Sequence, residues 1–383
     1  MHFRNTLGND NLKNVLVNEV NTGKIPHAQL FSGHKGSGQL PMALAFVMYL
    51  FCKNKKSTDS CGSCSNCTKM LKLCHPDLHF FYPTTNSSSR SGSKELFEVF
   101  QQMVLKNPYA EKVDWYEYNN IRNRGEIKVS DIKKINTIAN LKSYTGEYTV
   151  FIIWRPETMN LQASNKLLKN IEEPNPKTLF ILITEDPNTL IPTIVSRLQI
   201  KSFEKITESL LVKNIQKTYP DLSTDLVEEI IKENEHNYNN IIHSINGKMD
   251  KKELHNNFIT WVRLCFLSNV ANKKSVPKLI RWCNNINLLK QSDQLVFIKE
   301  ATRIFRYAFL LPYNPPFTLK PNISHEDFNI TTFSQHINVQ NIHKICTLLD
   351  EAHYCITRYA NSKILFLDLS FNLGKLLHKK SSQ

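Results

Sequence analysis

Residues 28–32 form a short apolar run, residues 41–52 carry helical spacing, and between them lies Gly33-His34-Lys35-Gly36-Ser37-Gly38-Gln39-Leu40. A glycine-rich turn from strand into helix cradles phosphate on backbone N–H groups at the helix start, so this segment confines the fold to strand–loop–helix units. The working form of the loop, G-x-x-x-x-G-K-[S/T], needs its lysine for the terminal phosphates and its hydroxyl for Mg²⁺. Gln39 stands at the lysine position and Leu40 at the hydroxyl position. Glutamine is uncharged, and leucine offers no oxygen to a hard cation. Gly33, Gly36 and Gly38 therefore keep the turn while the hydrolytic chemistry is missing. Lys35 lies four positions before Gln39 and is no simple replacement.

The same alternation continues along the chain. Residues 78–82, 148–154, 178–184 and 199–203 read as apolar strands, with helices from Ser130 and over 162–172 between them. Ser130 is the expected N-cap of the first of these, with Ile132, Ile135 and Ile138 on one face. Largely apolar strands alternating with helices predict a doubly wound, mostly parallel sheet. A Ser/Asn-rich loop is expected over 84–93. From about residue 207 the pattern becomes helix after helix: 209–218, 226–235 and 238–245, then 253–270, 276–286, 294–310, 339–359 and 364–378, with a Pro-rich connection at 311–321. The expected class is α/β plus all-α, with a sheet domain at 1–205, a small helical lid at 206–249 and a C-terminal helical domain at 250–383. At 383 residues, two or three cores are needed.

Cys52, Cys61, Cys64 and Cys67 follow the spacing C-x8-C-x2-C-x2-C. Two-residue gaps let thiolates curl around one ion, and a fourth closes a tetrahedral shell, so the segment 52–67 predicts structural Zn²⁺ with no open position for catalysis. Cys74 and His75 stand near enough to substitute for a ligand. Cys265, Cys283, Cys346 and Cys355 sit on apolar helical faces and are expected in the core, as are Trp261, Phe266, Trp282, Phe305 and Phe309. A net charge of +14 suits a polyanionic or acidic partner. No run approaches the roughly 20 apolar residues of a membrane span, and the first residues lack the pattern of a signal peptide, so a cytoplasmic protein with no membrane partner is expected.

Several segments, in order, carry a family likeness: His27-Ala28-Gln29-Leu30-Phe31-Ser32-Gly33, the cysteine knuckle, His75-Pro76-Asp77, Asn165-Lys166-Leu167-Leu168-Lys169-Asn170-Ile171-Glu172-Glu173-Pro174, and Ile194-Val195-Ser196-Arg197-Leu198-Gln199. Ala360-Asn361-Ser362-Lys363-Ile364 adds a weaker C-terminal match. With these the chain resembles the bacterial clamp-loader subunits of the AAA+ class, strongly over about residues 8–203 and mostly by pattern beyond. Within that family it resembles the delta-prime type, which often lacks ATPase function.

The resemblance implies an AAA+ sheet domain, a lid and a helical collar. It implies a place in the DNA polymerase III holoenzyme, with the delta and gamma/tau subunits, the sliding clamp and primed DNA as partners. After the strand ending Phe151-Ile152-Ile153 the family's motors carry an Asp-Glu pair for Mg²⁺ and water; Trp154 and Arg155 stand there. The resemblance makes Arg197 an arginine finger for ATP on a neighbouring motor subunit, and no ATP would be hydrolysed by this chain. Leu198 replaces the family's usual cysteine at what should be a buried position, and Thr184 ends a strand where a sensor of γ-phosphate is usual. Lys166 and Lys169 are solvent-facing candidates for DNA contact. Two other readings stay open: an active motor-type ATPase with an unusual loop, and a free-standing zinc-containing DNA-binding protein.

Overall fold

The computed structural model describes residues 1–85, 93, 96–119, 125–141, 143–145, 147–246, 251–269, 275–313, 328–358 and 360–378. It comprises two compact units, Met1–Asn246 and Gly247–Gln383. The Ser/Asn-rich segment over 86–92, the Pro-rich stretch beyond residue 313 and the boundary expected at 249/250 lie outside the described residues.

In the first unit the apolar runs become β1 (Ala28–Gly33), β2 (Leu78–Phe81), β3 (Thr149–Trp154), β4 (Thr178–Thr184) and β5 (Gln199–Phe203). They form one parallel sheet in the order β2-β3-β4-β1-β5. Every residue of β3 and β4 is buried, which is why both read as unbroken apolar runs. The edge strand β5 instead exposes Gln199, Ile200 and Ser202 and turns Lys201 inward, where it pairs with Glu19.

Helices α1 (Asp10–Thr22), α2 (Gln39–Phe51), α3 (Ser65–Leu71), α4 (Phe97–Lys106), α5 (Lys112–Tyr118), α6 (Val129–Ala139), α7 (Leu161–Glu172) and α8 (Pro192–Val195) complete the sheet layers. All thirteen residues of α2 are buried. A helix apolar on every side must be enclosed, and α2 packs on β1, β3 and β4 and against α1 and α3. Ile132 and Ile135 of α6 and Leu167 and Ile171 of α7 join Leu30, Phe151, Phe180 and Leu182 of the sheet in one core. Helix α6 begins at Val129, one residue earlier than expected. Its first turn is closed by the Asp131 carboxylate accepting the Lys128 N–H at 3.3 Å, so Ser130 is not the cap.

The Asp77 carboxylate accepts from Tyr144 N (2.6 Å), Thr145 N (2.9 Å) and Thr145 Oγ1 (2.7 Å), which fixes the chain entering β3 and gives His75-Pro76-Asp77 a structural role. The helices α9 (Glu208–Thr218), α10 (Thr224–Glu233) and α11 (Tyr238–Ile245) bury Leu211, Ile215, Val227, Ile231 and Ile241 around Ile206 and Tyr109.

The second unit is helical: α12 (Lys251–Asn269), α13 (Ser275–Leu288), α14 (Gln291–Leu310), α15 (Ile330–Ser334), α16 (Val339–Thr357) and α17 (Ser362–Leu377). Trp261 stacks on Trp282 at 5.7 Å, and its indole N–H donates to Ser370 Oγ at 2.8 Å. Phe305, Cys265 and Cys283 are buried beside them, and Phe266 and Phe309 are partly buried. Cys346 and Cys355 are only half-buried and so depart from the expected core placement. Among the described residues no helix is long and apolar enough to cross a membrane.

Candidate functional site

Gly33 ends β1, and Gly38 immediately precedes α2. Gln39, in the first turn of α2, folds its amide back into the loop and donates from Nε2 to Gly33 O (2.7 Å) and His34 O (2.9 Å). The position that would send an ammonium toward phosphate thus closes the loop on itself. Leu40 points into the core at 4 % exposure. Gly36 has φ of 71°, and a Cβ there would lie 2.3 Å from Asn237 Oδ1 and 2.6 Å from Tyr238 N. Only glycine fits, because the start of α11 rests directly on the loop. Tyr109 stacks edge-on against Tyr238 at 4.6 Å and covers the loop beside Gly38.

Trp154 ends β3 and Arg155 follows it. Both are buried, and Arg155 takes a left-handed backbone with φ of 64°. Its guanidinium reaches Glu185 Oε1 at 2.6 Å and Glu157 Oε1 at 3.8 Å, and lies 5.3 Å from the centre of the Trp154 ring. Burial works against the charge of Arg155, but Glu185 and Glu157 outweigh it and raise its pKa. Burial likewise opposes the charge of Glu185, and Arg155 holds that carboxyl below its ordinary range. Nearby Glu111 is pushed up by burial and by Glu185, and accepts from Asn237 Nδ2 at 2.6 Å. Thr184 Oγ1 lies 3.1 Å from Glu157 Oε2 and 3.3 Å from Asp186 O, which occupies the hydroxyl within its own loop.

These side chains leave a cavity of about 30 Å³ bordered by Gln39, Tyr109, Glu111, Arg155, Thr184 and Glu185. Small-molecule sites are commonly around 300–1,000 Å³, so the space left between these side chains is far smaller than such a site. The fold thus brings Gly36, Gly38, Gln39, Leu40, Trp154 and Arg155 to one place; Arg197 and the four cysteines do not border it. Tyr109, Glu111, Glu157, Glu185 and Asn237 were not anticipated from sequence. An acid directly after β4, at Glu185, is the one sequence signal that could have drawn attention.

Arg197 follows α8 and precedes β5. Its Nε lies 2.5 Å from Glu172 Oε1, and its Nη1 donates to Thr193 O at 2.9 Å. Both partners of the ion pair stay 40–45 % exposed. Leu198 beside it is buried, as expected. Lys169 is exposed on α7 and Lys166 half-buried, while Leu167 faces the sheet.

The thiol sulfurs of Cys52, Cys61, Cys64 and Cys67 all lie within 4.8 Å of one another. The Cys61–Cys67 separation is 3.8 Å, close to the tetrahedral edge implied by Zn–S bonds of about 2.3 Å. Backbone N–H groups already point at these sulfurs: Cys61 N at Cys52 Sγ (3.3 Å), Cys64 N at Cys61 Sγ (3.3 Å) and Cys67 N at Cys64 Sγ (3.5 Å). Donation from the Ser63 and Cys64 amides draws the Cys61 thiol down to about 6, whereas burial pushes Cys67 up. The four sulfurs stand close enough to share one cation, and the donor set fits zinc in a closed shell. His75 is not part of it. Its ring stacks on Phe51 at 4.1 Å and burial lowers its pKa to about 4. Cys74 is exposed and bonds Lys69 O.

A family model described as DNA polymerase III, delta subunit matches residues 8–207. DNA polymerase III subunit delta' of Bacillus subtilis is 29% identical over 192 residues, covering 50% of this chain and 46% of that protein. DNA polymerase III subunit gamma/tau of Mycoplasma genitalium is 26% identical over 215 residues, covering 56% of this chain and 29% of that one. The matched stretch thus spans less than half the length of either relative. A gamma subunit-related protein of Thermotoga maritima aligns over 96% of this chain and 99% of its own, at 16% identity and a TM-score of 0.43.

Proposed function

Since the chain belongs to the DNA polymerase III delta subunit family, among the clamp-loader subunits of the AAA+ class, we propose that it serves as the delta-prime member. In this reading it hydrolyses no ATP and gives Arg197 to the ATP site of an adjacent gamma/tau subunit while the sliding clamp is loaded on primed DNA. Residues 1–205 form the sheet domain, 206–249 the lid and 250–383 the collar that joins delta and gamma/tau in the cytoplasm. Cys52, Cys61, Cys64 and Cys67 hold structural zinc.

The observation that carries the reading is Arg155 with Glu185 and Glu157, standing where a motor's metal and phosphates would lie and leaving about 30 Å³. Removing the lysine disables such a loop; filling its metal side with a salt-bridged guanidinium leaves no room to repair it. Arg197 supports the second half. Its exposed pair with Glu172 holds it by no more than about 1 kcal/mol, so a phosphate offered by a neighbour outcompetes the carboxylate.

The test is Arg197→Ala in a complex reconstituted with delta and gamma/tau. Assembly by size exclusion should be unchanged, and hydrolysis at the site served should fall on the order of 10³-fold, lowering the DNA-stimulated rate of the complex. An unaltered rate from an intact complex would sink the finger assignment. The gamma/tau relatives favour a motor as the second reading, which requires a measurable ATPase rate from the chain alone.

A further inference from the structure

Residues 2–9 precede α1 and run from the cysteine cluster to the glycine loop. At the cluster end the Asp59 carboxylate accepts from Phe3 N and Arg4 N, each at 3.2 Å, and from Ser60 N at 2.8 Å. The His2 ring is 3.0 Å from Ser60 Oγ through Nδ1 and lies flush against Gly62, where a Cβ would come within 2.9 Å of it. Phe3 is buried on the Tyr49 ring, 5.9 Å between centres. At the far end Leu7 N donates to Tyr109 Oη at 2.9 Å. Asn9 Oδ1 accepts from Glu204 N at 2.9 Å, on the connection from β5 to α9, and Asn9 Nδ2 lies 3.5 Å from Ser37 O in the glycine loop.

One strap therefore touches the knuckle, the tyrosine that covers the loop, the loop itself and the connection into α9. We propose that metal binding at the cysteine cluster sets the hold of this strap on the glycine loop, with Asp59 as the positioning residue between them. Asp59 sits in the eight-residue segment between Cys52 and Cys61. That segment is closed on itself by Lys56 N to Asp59 O (2.9 Å) and at its ends by the two cysteines, Cys61 N to Cys52 Sγ. Thiols are weak hydrogen-bonding partners, so a shared cation is what keeps the ends together. With the cation gone the segment opens, Asp59 leaves the Phe3 and Arg4 amides, and the strap loses its anchor.

The inference rests on the cluster holding zinc. Hydrogen exchange on the full chain tests it, comparing the zinc-loaded protein, the protein stripped by a chelator, and Asp59→Ala. Stripping should speed exchange at Phe3, Arg4 and Leu7 by at least about tenfold, as expected on losing a charge-assisted hydrogen bond. Asp59→Ala should do the same while still binding one zinc per chain. Strap amides equally protected with and without zinc would overturn the proposal, as would an Asp59→Ala protein that has lost its zinc. Should Asp59→Ala not fold, Asp59→Asn keeps one acceptor, and exposure of Arg4 alone is the expected result; protection of Arg4 counts against it. A chain that takes up no zinc at all sinks the metal reading instead, which separates the two failures.

Discussion

At the scale of single residues, Arg155 fills the space beside the glycine loop with an ion-paired guanidinium. Three carboxylates, Glu185, Glu157 and Glu111, converge on its neighbourhood, and burial already pushes Glu111 up. Arg155→Met removes the partner that lowers Glu185 both by charge and by hydrogen bonding. Breaking a buried pair this way costs about 3–5 kcal/mol. Chemical denaturation of the variant should show a loss of that size, and a loss under about 1 kcal/mol would mean water already screens the cluster. Sequence shows that lysine is gone at Gln39 and that a cation has arrived at Arg155. It does not show the Gln39 amide turned back on Gly33 O, nor Glu185 and Glu157 as partners. The Glu185 contact depends on β3 and β4 lying side by side, with Arg155 N bonded to Ile183 O. Glu172 beside Arg197 is hidden for the same reason: the pairing is made by packing and not by spacing.

At the scale of elements, α11, whose start rests on the glycine loop, is tied to α5 by a titratable pair. His243 Nε2 lies 2.7 Å from Asp114 Oδ1, and Asp114 also accepts from Asn239 Nδ2 at 2.8 Å. Hydrogen bonding to Asp114 raises the His243 pKa; burial opposes the charge of Asp114, and His243 outweighs it and lowers that pKa. The His243 contribution is complete below its ordinary pKa near 6.5 and fades as pH rises through the raised value. The Asp114 contribution is complete above roughly pH 4 and fades as pH falls through the lowered value.

The contact of α11 with α5 should therefore weaken as pH rises above about 6.5, by under about 1 kcal/mol because the imidazole is exposed. Unfolding followed as pH is raised from about 6.5 should show that slope, and His243→Ala should flatten it. Elements themselves were legible where burial forces a pattern: β3 and β4 are buried throughout, and α11 coincides with the helix expected over 238–245. Helices α4 and α5 were not, because Phe97, Phe100, Trp115 and Tyr116 are aromatic residues that suit strands as well as helices. Ser130 misled for a related reason, since its neighbour Asp131 supplies the cap from inside the helix.

At the scale of the whole molecule, charge is unevenly divided. Gly247–Gln383 holds 19 Lys and Arg against 9 Asp and Glu, which is +10 of the chain's +14. On α13, Lys278 and Arg281 are exposed one turn apart, and the helix contains no acid. If the excess engages nucleic acid, Lys278→Gln with Arg281→Gln should reduce the slope of log affinity against log salt by about 2. A salt titration with a short duplex reads this directly, and an unchanged slope places the contact elsewhere. The sheet order has its own consequence for synthesis. Strand β1 is made first of the five yet sits between β4 and β5, so that Ala28 waits for Phe180 and Gln29 for Gln199. At about 5–20 residues per second this wait is on the order of ten seconds. Throughout it Leu30 and Phe31, which end with no exposed surface, have no strand partner on either side. The nascent chain must be kept from aggregating over that interval, and slowed translation before residue 203 would lengthen it.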